Sequence, residues 1–258
     1  MKKYIIDFKV LENKKLNDQN TILVLQSDEK LPEILAGQFV EVLVEDSPST
    51  FLRRPFSVHN VDFHENTLSL FIKIAGIGSK KLTNIEVGEN LNLIFPLGNG
   101  FSIPNEGSAL LIGGGCGIGP LLFLAKCLME NNVEPHIILG GRSKEDIFEV
   151  HEYSKYGTVH ITTDDGSLGE KGFVTKHTII DDPDIKFDII YTCGPEIMMK
   201  AVAKMAKSKG IECEVSLENT MACGIGACLC CVTETIDGNK CVCTEGPVFN
   251  INDLKWQI

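Results

Sequence analysis

From Lys3 to about Pro96 the chain runs in short stretches, most of which alternate apolar with polar residues: YIIDFKV, TILVLQ, QFVEVLV, TLSLFIKI and NLNLIF. A period of two places successive side chains on opposite faces of a strand, and the turn formers SPST and HENT separate the runs, so this part reads as an antiparallel β-barrel or sandwich. From about Ser108 the texture changes. Apolar runs lead into stretches of helical character: ALLIGGG into PLLFLAKCLMEN, PHIILGG into SKEDIFEVHEYSK, then VHITTDDG, and DIIYTCGP into EIMMKAVAKMAKSKG. Strands alternating with helices predict an α/β unit with a parallel sheet. From Cys213 the regular pattern gives way to a cysteine-rich tail, and no internal repeat or low-complexity linker interrupts the chain. The chain therefore reads as a multidomain β plus α/β protein, with a β domain over 1–101, an α/β domain over 102–212 and a small module over 213–258.

Composition narrows the partners. The 258 residues carry a net charge of −11, and no basic run exceeds a pair such as Lys80-Lys81. That argues against nucleic acid or an anionic membrane surface. No apolar stretch approaches the roughly 18 residues of a membrane span. The opening MKKYIIDFKV breaks its apolar run at Asp7 and Lys9, which is not the pattern of a signal peptide, so a cytoplasmic protein is expected. Of ten cysteines, Cys116, Cys127, Cys193 and Cys213 are scattered, whereas Cys223, Cys228, Cys230, Cys231, Cys241 and Cys243 are bunched. Bunching in a reduced compartment points to metal rather than to a disulfide scaffold.

Two glycine-rich turns carry a phosphate signal. Gly113, Gly114, Gly115, Gly117 and Gly119 lie between an apolar strand and a helix that opens with Pro120. Glycines let the backbone approach a pyrophosphate, a helix N-terminus offers free N–H groups, and proline in the first turn needs no N–H of its own. The spacing departs from the G-x-G-x-x-G fingerprint, with isoleucine at 118 and proline at 120. A second strand-to-helix turn holds Cys193, Gly194 and Pro195. Ligands of open α/β sheets sit at the strands' C-terminal ends, so the two turns together point to a nucleotide spread over that edge. Asp164 and Asp165 after the third α/β strand would accept hydrogen bonds from a ribose diol and repel a 2′-phosphate, which favours NAD; Arg142 and Ser143 pull towards NADP. In the first domain, Arg54, Phe56 and Ser57 in FLRRPFSV, and Gly76, Gly78 and Ser79 in KIAGIGSKKL, could share a second phosphate-bearing cofactor.

In the tail, Cys223, Cys228, Cys231 and Cys243 read C-x4-C-x2-C-x11-C. This matches the known plant-type [2Fe–2S] spacing. Gly224 and Gly226 allow the loop to wrap closely, and Asp237-Gly238 marks a hairpin that would return the fourth thiolate. Zinc is the rival, although only one C-x2-C knuckle is present. Cys230 and Cys241 fall out of register and read as bystanders, although Cys241 could take the place of Cys243 as the fourth ligand.

The chain resembles the electron-transfer subunits of class 1B dihydroorotate dehydrogenases, within the ferredoxin–NADP reductase superfamily. The resemblance runs through AGQFVEV, RPFS, GIGS, GGGCGIGP, TDDGSLGEKGFVT, CGPEIMMKA, MACGIGACLCCV and CTEGPVF, essentially the whole length. The all-cysteine set is nearer this family than the related bifurcating ferredoxin:NADP oxidoreductases, which usually have aspartate where Cys223 stands; Cys230 departs from the small residue often found there. The resemblance implies an FAD-binding barrel with Arg54 at the pyrophosphate, Pro55 and Phe56 against the cofactor and Ser57 near the reactive flavin nitrogen. Phe71, Ile72, Lys73, Gly78 and Ser79 would complete that site. Gly113, Gly114, Gly115, Gly117, Pro120, Cys193, Gly194 and Pro195 would hold NAD, and Cys223, Cys228, Cys231 and Cys243 a [2Fe–2S] cluster. It further implies an FMN-containing catalytic subunit as partner, in a heterotetramer of two of each, with electrons passed between that subunit and NAD+ in pyrimidine biosynthesis. A ferredoxin-type reductase of another complex, and a non-catalytic redox-sensing or zinc-stabilised module, are the other readings.

Overall fold

The computed structural model describes residues 2–258 except Asp46 and Pro48. Six strands, β1 (Tyr4–Lys15), β2 (Asn20–Gln26), β3 (Phe39–Val42), β4 (Arg54–Asp62), β5 (Thr67–Lys73) and β6 (Asn90–Leu97), close into an antiparallel barrel in the order β1-β2-β5-β4-β3-β6. A six-residue helix, α1 (Ile77–Leu82), lies between β5 and β6. The alternation seen along the chain is the alternation of faces: Phe8, Leu23, Leu25, Leu70, Leu93 and Phe95 have no exposed surface, and Phe8 meets Phe95 edge-on at 5.1 Å. Burying a side chain of this size contributes about 1.5–3 kcal/mol.

The second set of strands is β7 (Gly107–Gly114), β8 (Val133–Gly141), β9 (Thr158–Thr163), the short β10 (Glu170–Lys171), β11 (Ile189–Cys193) and β12 (Glu212–Ser216). Its helices are α2 (Leu121–Glu130), α3 (Val150–Tyr153) and α4 (Glu196–Lys209). The tail adds a hairpin of β13 (Val232–Thr235) and β14 (Gly238–Cys241), a one-turn helix α5 (Val242–Glu245) and β15 (Val248–Asn250). The sheet runs β10-β9-β8-β7-β11-β12-β15, parallel except that β15 lies antiparallel to β12. β7 carries Ala109–Ile112 with no exposed surface on either face, which is why it reads as an unbroken apolar run. The connections from β7 and β11 lead to opposite sides of the strand order, so the topological switch point falls at these two neighbours.

The chain divides into two compact units, one of residues 1–100, 219–233 and 239–247, the other of residues 101–218, 234–238 and 248–258. Two expectations differ from the structure. The helix expected over SKEDIFEVHEYSK is only a 3-10 turn at Lys144–Asp146 followed by the four residues of α3. Asp146 turns its carboxylate back to accept from the Arg142 N–H at 3.1 Å, and Glu149 adopts a left-handed φ of 55°, so a continuous helix is interrupted twice. After Cys213 the chain is more regular than expected, because β12 extends the sheet and β15 pairs with it through three residue pairs, too few to leave a periodic signal.

Candidate cofactor sites

In the barrel, Arg54, Pro55, Phe56 and Ser57 open β4 and pair with Val42, Glu41, Val40 and Phe39 of β3. The β4–β5 ladder begins only at Val58 and Leu70, while Phe71, Ile72 and Lys73 pair with β2. The RPFS stretch and residues 71–73 therefore belong to the ends of two strands that are not laddered to each other. Ile72 points into the core, Phe71 is buried near His59 with ring centroids 6.0 Å apart, and Lys73 is exposed. Gly78 brings α1 close: a Cβ there would stand 3.0 Å from Thr50 Cγ2 and 3.2 Å from Arg54 Nε. Arg54 donates from one guanidinium nitrogen to the carbonyls of Leu52 and Arg53 at 2.7 and 3.1 Å. The Ser79 hydroxyl is engaged within its own turn, accepting from Ala75 and Gly76 N–H at 2.8 and 3.1 Å, so it shapes the loop.

In the second unit the two glycine-rich turns meet. Cys193 lies opposite Gly113 in the β7–β11 ladder. A Cβ on Gly117 would stand 2.2 Å from the Cys193 carbonyl oxygen and 2.4 Å from Gly194 Cα, and one on Gly114 would stand 3.4 Å from Pro195 Cδ. Gly115 takes a φ of 57° at the start of the 3-10 turn Gly115–Ile118, and Pro120 is the cap of α2. Sequence reasoning missed Tyr153, fully buried, whose hydroxyl donates to the Ile118 carbonyl at 2.5 Å and props the first turn from below. Burial pushes the Cys193 thiol well above its ordinary range, so it serves as packing rather than as a nucleophile.

The acidic and basic candidates for choosing the nucleotide share one rim of this unit. Asp164 N–H donates to the Gly141 carbonyl and Asp165 N–H to that of Arg142, at 3.0 and 3.1 Å. The Asp165 carboxylate accepts from Ser167 Oγ and N–H at 2.6 and 2.9 Å, and those hydrogen bonds hold it below the ordinary carboxylate range. Asp165 thus fixes the turn, which leaves Asp164, exposed beside it, as the carboxylate with no hydrogen bond among the described residues.

The cysteine loop packs on the barrel within the first unit. Cys228 is exposed, Cys223 half-buried, and Cys231 and Cys243 are 2% and 1% exposed. The sulfurs come together as pairs: Cys228 hydrogen-bonds Cys223, and Cys231 hydrogen-bonds Cys243. Backbone N–H groups point at them, from Ile225 to Cys223 Sγ at 3.5 Å, from Gly226 to Cys243 Sγ at 3.2 Å and from Cys243 to Cys231 Sγ at 3.4 Å. Burial raises the Cys223 thiol, but hydrogen bonds from Ile225, Cys228 and Ala227 outweigh it and bring the group down to about 6. Gly224 and Gly226 have φ of 66° and 82°, which lets the loop turn its N–H groups inward. Among the described residues no three His, Cys, Asp or Glu side chains converge as a site for one ion. Iron–sulfur clusters are held by Cys thiolates, and this loop brings two thiol pairs together with N–H groups turned inward. Cys231 also hydrogen-bonds Cys241, while Cys230 is exposed.

Beneath this loop sits a residue that the pattern of FVEVLV did not single out. Glu41 of β3 has no exposed surface, and neither carboxyl oxygen has a hydrogen-bond partner. Burial raises its carboxyl to about 7, with Arg53 opposing the rise, Cys223 adding to it and Arg54 opposing it. Its only sequence signal was a lone acid in an otherwise apolar strand.

A barrel, a parallel sheet with nucleotide turns at its switch point and a thiol loop define an NAD-linked oxidoreductase with an iron–sulfur module. Residues 218–255 match the family described as the iron–sulfur cluster binding domain of dihydroorotate dehydrogenase B, and residues 111–204 the oxidoreductase NAD-binding domain. The dihydroorotate dehydrogenase B (NAD(+)) electron transfer subunit of Fusobacterium nucleatum is 39% identical over 226 residues, 85% of this chain and 86% of that protein. Its counterpart in Clostridium perfringens is 40% identical over 244 residues, 94% of each. The chain belongs to this family of electron-transfer subunits. It is an oxidoreductase subunit whose cofactors are an iron–sulfur cluster, FAD and NAD. Among solved structures, a chain of the NADH-dependent reduced ferredoxin-NADP oxidoreductase used to study flavin-based electron bifurcation matches with a TM-score of 0.87 and 30% identity, over 96% of this chain and 90% of that one. The ferredoxin reductase of carbazole 1,9a-dioxygenase, at 22% identity and a TM-score of 0.69 over 82% and 67% of the two chains, shares the fold. No helix among the described residues is long and apolar enough to cross a membrane.

Proposed function

We propose that the chain links a catalytic, FMN-containing dihydroorotate dehydrogenase subunit to NAD+ in de novo UMP biosynthesis, with a [2Fe–2S] cluster and FAD as its own carriers. The observation that carries this reading is the gathering of Cys223, Cys228, Cys231 and Cys243 as two thiol pairs, in the same unit as Arg54–Ser57. FAD, when bound, exchanges electron pairs with a nicotinamide and single electrons with an iron–sulfur centre, which is why such cofactors occur together.

The protein's own part is to bind and orient. Arg54, held beside Gly78, offers its guanidinium to the FAD pyrophosphate. Pro55, Phe56 and Ser57 line the flavin along β4, the backbone of Phe71, Ile72 and Lys73 faces it from the end of β5, and Gly78 with Ser79 shapes the phosphate loop. Gly113, Gly114, Gly115, Gly117 and Pro120, with Cys193, Gly194 and Pro195, cradle the pyrophosphate of NAD, and Asp164 accepts from the ribose diol. Cys243 is the fourth cluster ligand, because the Gly226 N–H ties its sulfur to the CGIGAC loop. In functional terms the chain comprises an FAD domain over 1–101, an NAD domain over 102–212 and a cluster module over 213–258. It works in the cytoplasm, a compartment that keeps its ten cysteines reduced, in an assembly of two such chains with two catalytic subunits.

The test is a comparison of activities. The isolated chain should reduce an artificial dye with NADH and leave dihydroorotate untouched; with the catalytic subunit added, dihydroorotate should reduce NAD+. Dihydroorotate oxidation by the isolated chain would refute this division of labour. The likeness to the ferredoxin-NADP oxidoreductase chain supports a second reading, in which a soluble ferredoxin is the partner. NAD+ reduction by reduced ferredoxin, with none from the dihydroorotate subunit, would establish it.

A further inference from the structure

Glu41 is a polar residue where the fold offers no reason for one. It lies in the middle of β3, opposite Pro55 of β4 and Ile94 of β6, with Phe39 two residues before it opposite Ser57. Its neighbours in sequence, Val40 and Val42, are fully buried on the other face of the strand. On its own face the side chain is covered by the cysteine loop. A Cβ on Gly224 would stand 2.6 Å from Glu41 Cγ and 3.0 Å from Oε1, so only a glycine lets the loop rest there. The nearby arginines are committed elsewhere. Arg53 donates to the carbonyls of Glu41 and Asn92 at 3.2 and 2.9 Å and to the Asn92 side chain at 2.5 Å, and Arg54 donates to Leu52 and Arg53 carbonyls. Both carboxyl oxygens therefore remain buried without a hydrogen bond. A buried polar group left unpaired costs about 1–3 kcal/mol, and such a group in a native fold calls for a role.

We propose that Glu41 is a positioning residue for the iron–sulfur cluster, whose carboxyl, lying against Gly224 next to the ligand Cys223, supplies the polar contact that favours the reduced cluster and so sets its reduction potential. The inference rests on Cys223 being a cluster ligand, as proposed above. An electron entering the cluster adds negative charge, and cluster potentials respond to hydrogen bonding and burial around the sulfurs. A buried carboxyl whose oxygens find no partner is kept as the neutral acid, so its O–H can turn towards that charge and raise the potential, as an amide N–H can; an apolar side chain of similar size does not. The location is also economical: β3 pairs directly with the RPFS stretch of β4, so one strand carries Glu41 against the cluster loop and aligns the residues assigned to the flavin.

The experiment uses the full chain with its cofactors. Cluster and flavin midpoint potentials are measured at one mildly acidic pH, where the Glu41 carboxyl keeps its proton, by EPR and visible redox titration for the wild type, Glu41→Gln, Glu41→Leu and Glu41→Met, with iron, sulfide and FAD content assayed on each sample. Glu41→Leu and Glu41→Met should lower the cluster potential by about 59 mV, a tenfold shift of the oxidised-to-reduced ratio. Glu41→Gln, which keeps an N–H donor, should stay near the wild type, and the flavin potential should move less than the cluster's in all three. Unchanged or raised cluster potentials in the leucine and methionine variants would overturn the proposal, as would a shift confined to the flavin. Loss of iron from all three variants, with FAD retained, would also overturn it by making Glu41 a folding residue. Cysteine ligation fails separately, and with it the basis of the inference, if the wild type itself holds no iron or sulfide.

Discussion

Gly117→Ala tests how closely the two nucleotide turns depend on each other. The added methyl would stand 2.2 Å from the Cys193 oxygen, 2.4 Å from the Cys193 carbonyl carbon and 2.4 Å from Gly194 Cα. All three are main-chain atoms, and Cys193 is held in the β7–β11 ladder opposite Gly113, so no side-chain rotation relieves the clash. Overpacking of this kind costs about 1–3 kcal/mol and more when backbone must shift. At about 2–4 °C per kcal/mol for a chain of this size, a cost near 3 kcal/mol lowers Tm by about 6–12 °C. Displacing Cys193-Gly194 by even part of an ångström also misaligns the nucleotide, so the KM for NADH in dye reduction should rise about tenfold or more. FAD and iron content should not change, because both assigned sites lie in the other unit. Gly76→Ala is the control: its Cβ meets nothing within 4 Å, and its φ is the extended −175°. A Gly117→Ala chain with wild-type Tm and KM would show that the turns do not touch as described.

Further outcomes follow from the same geometry. Arg54→Ala should weaken FAD binding by about 10- to 100-fold, the worth of a charge-assisted phosphate contact, read by flavin retention on gel filtration. Asp164→Ala should raise the KM for NADH about tenfold and narrow its advantage over NADPH, whereas Asp165→Ala should act mainly on Tm; the reverse pattern would reassign the ribose contact. Cys243→Ser should abolish the cluster's visible absorption and Cys241→Ser should retain it. Stability should fall in acid through His160. Burial and the adjacent His177 and His136 depress its folded pKa from 6.5 to about 4. The unfolded chain therefore binds the extra proton first, and stability present above pH 6.5 is lost as the pH drops towards 4. Replacement of His160 by glutamine should flatten that part of the profile, as followed by thermal unfolding.

The barrel and the sheet were legible because their strands bury one or both faces along simple periods, as in β1 and β7. The segment after β8 was not, since its apolar residues have helical spacing while Asp146 and a left-handed Glu149 break the helix locally. The cysteine loop was readable from spacing alone, and the two glycine turns from their place after strands. Tyr153 and Glu41 escaped notice because each acts through a neighbour more than a hundred residues away, Glu41 on Gly224, or across a packed interior, Tyr153 on Ile118. Asp164 and Asp165 were equivalent in the sequence; only the Ser167 hydrogen bonds separate the turn former from the free carboxylate.

The central claim, that this chain carries a flavin and a two-iron cluster reducible by NADH, is tested most directly by an anaerobic visible spectrum of the purified chain, with iron, sulfide, zinc and flavin assayed on the same sample. The account predicts about one FAD, two irons and two sulfides per chain, bleached on adding NADH. Zinc in place of iron, with neither sulfide nor flavin, would contradict it and make the thiol loop a structural element.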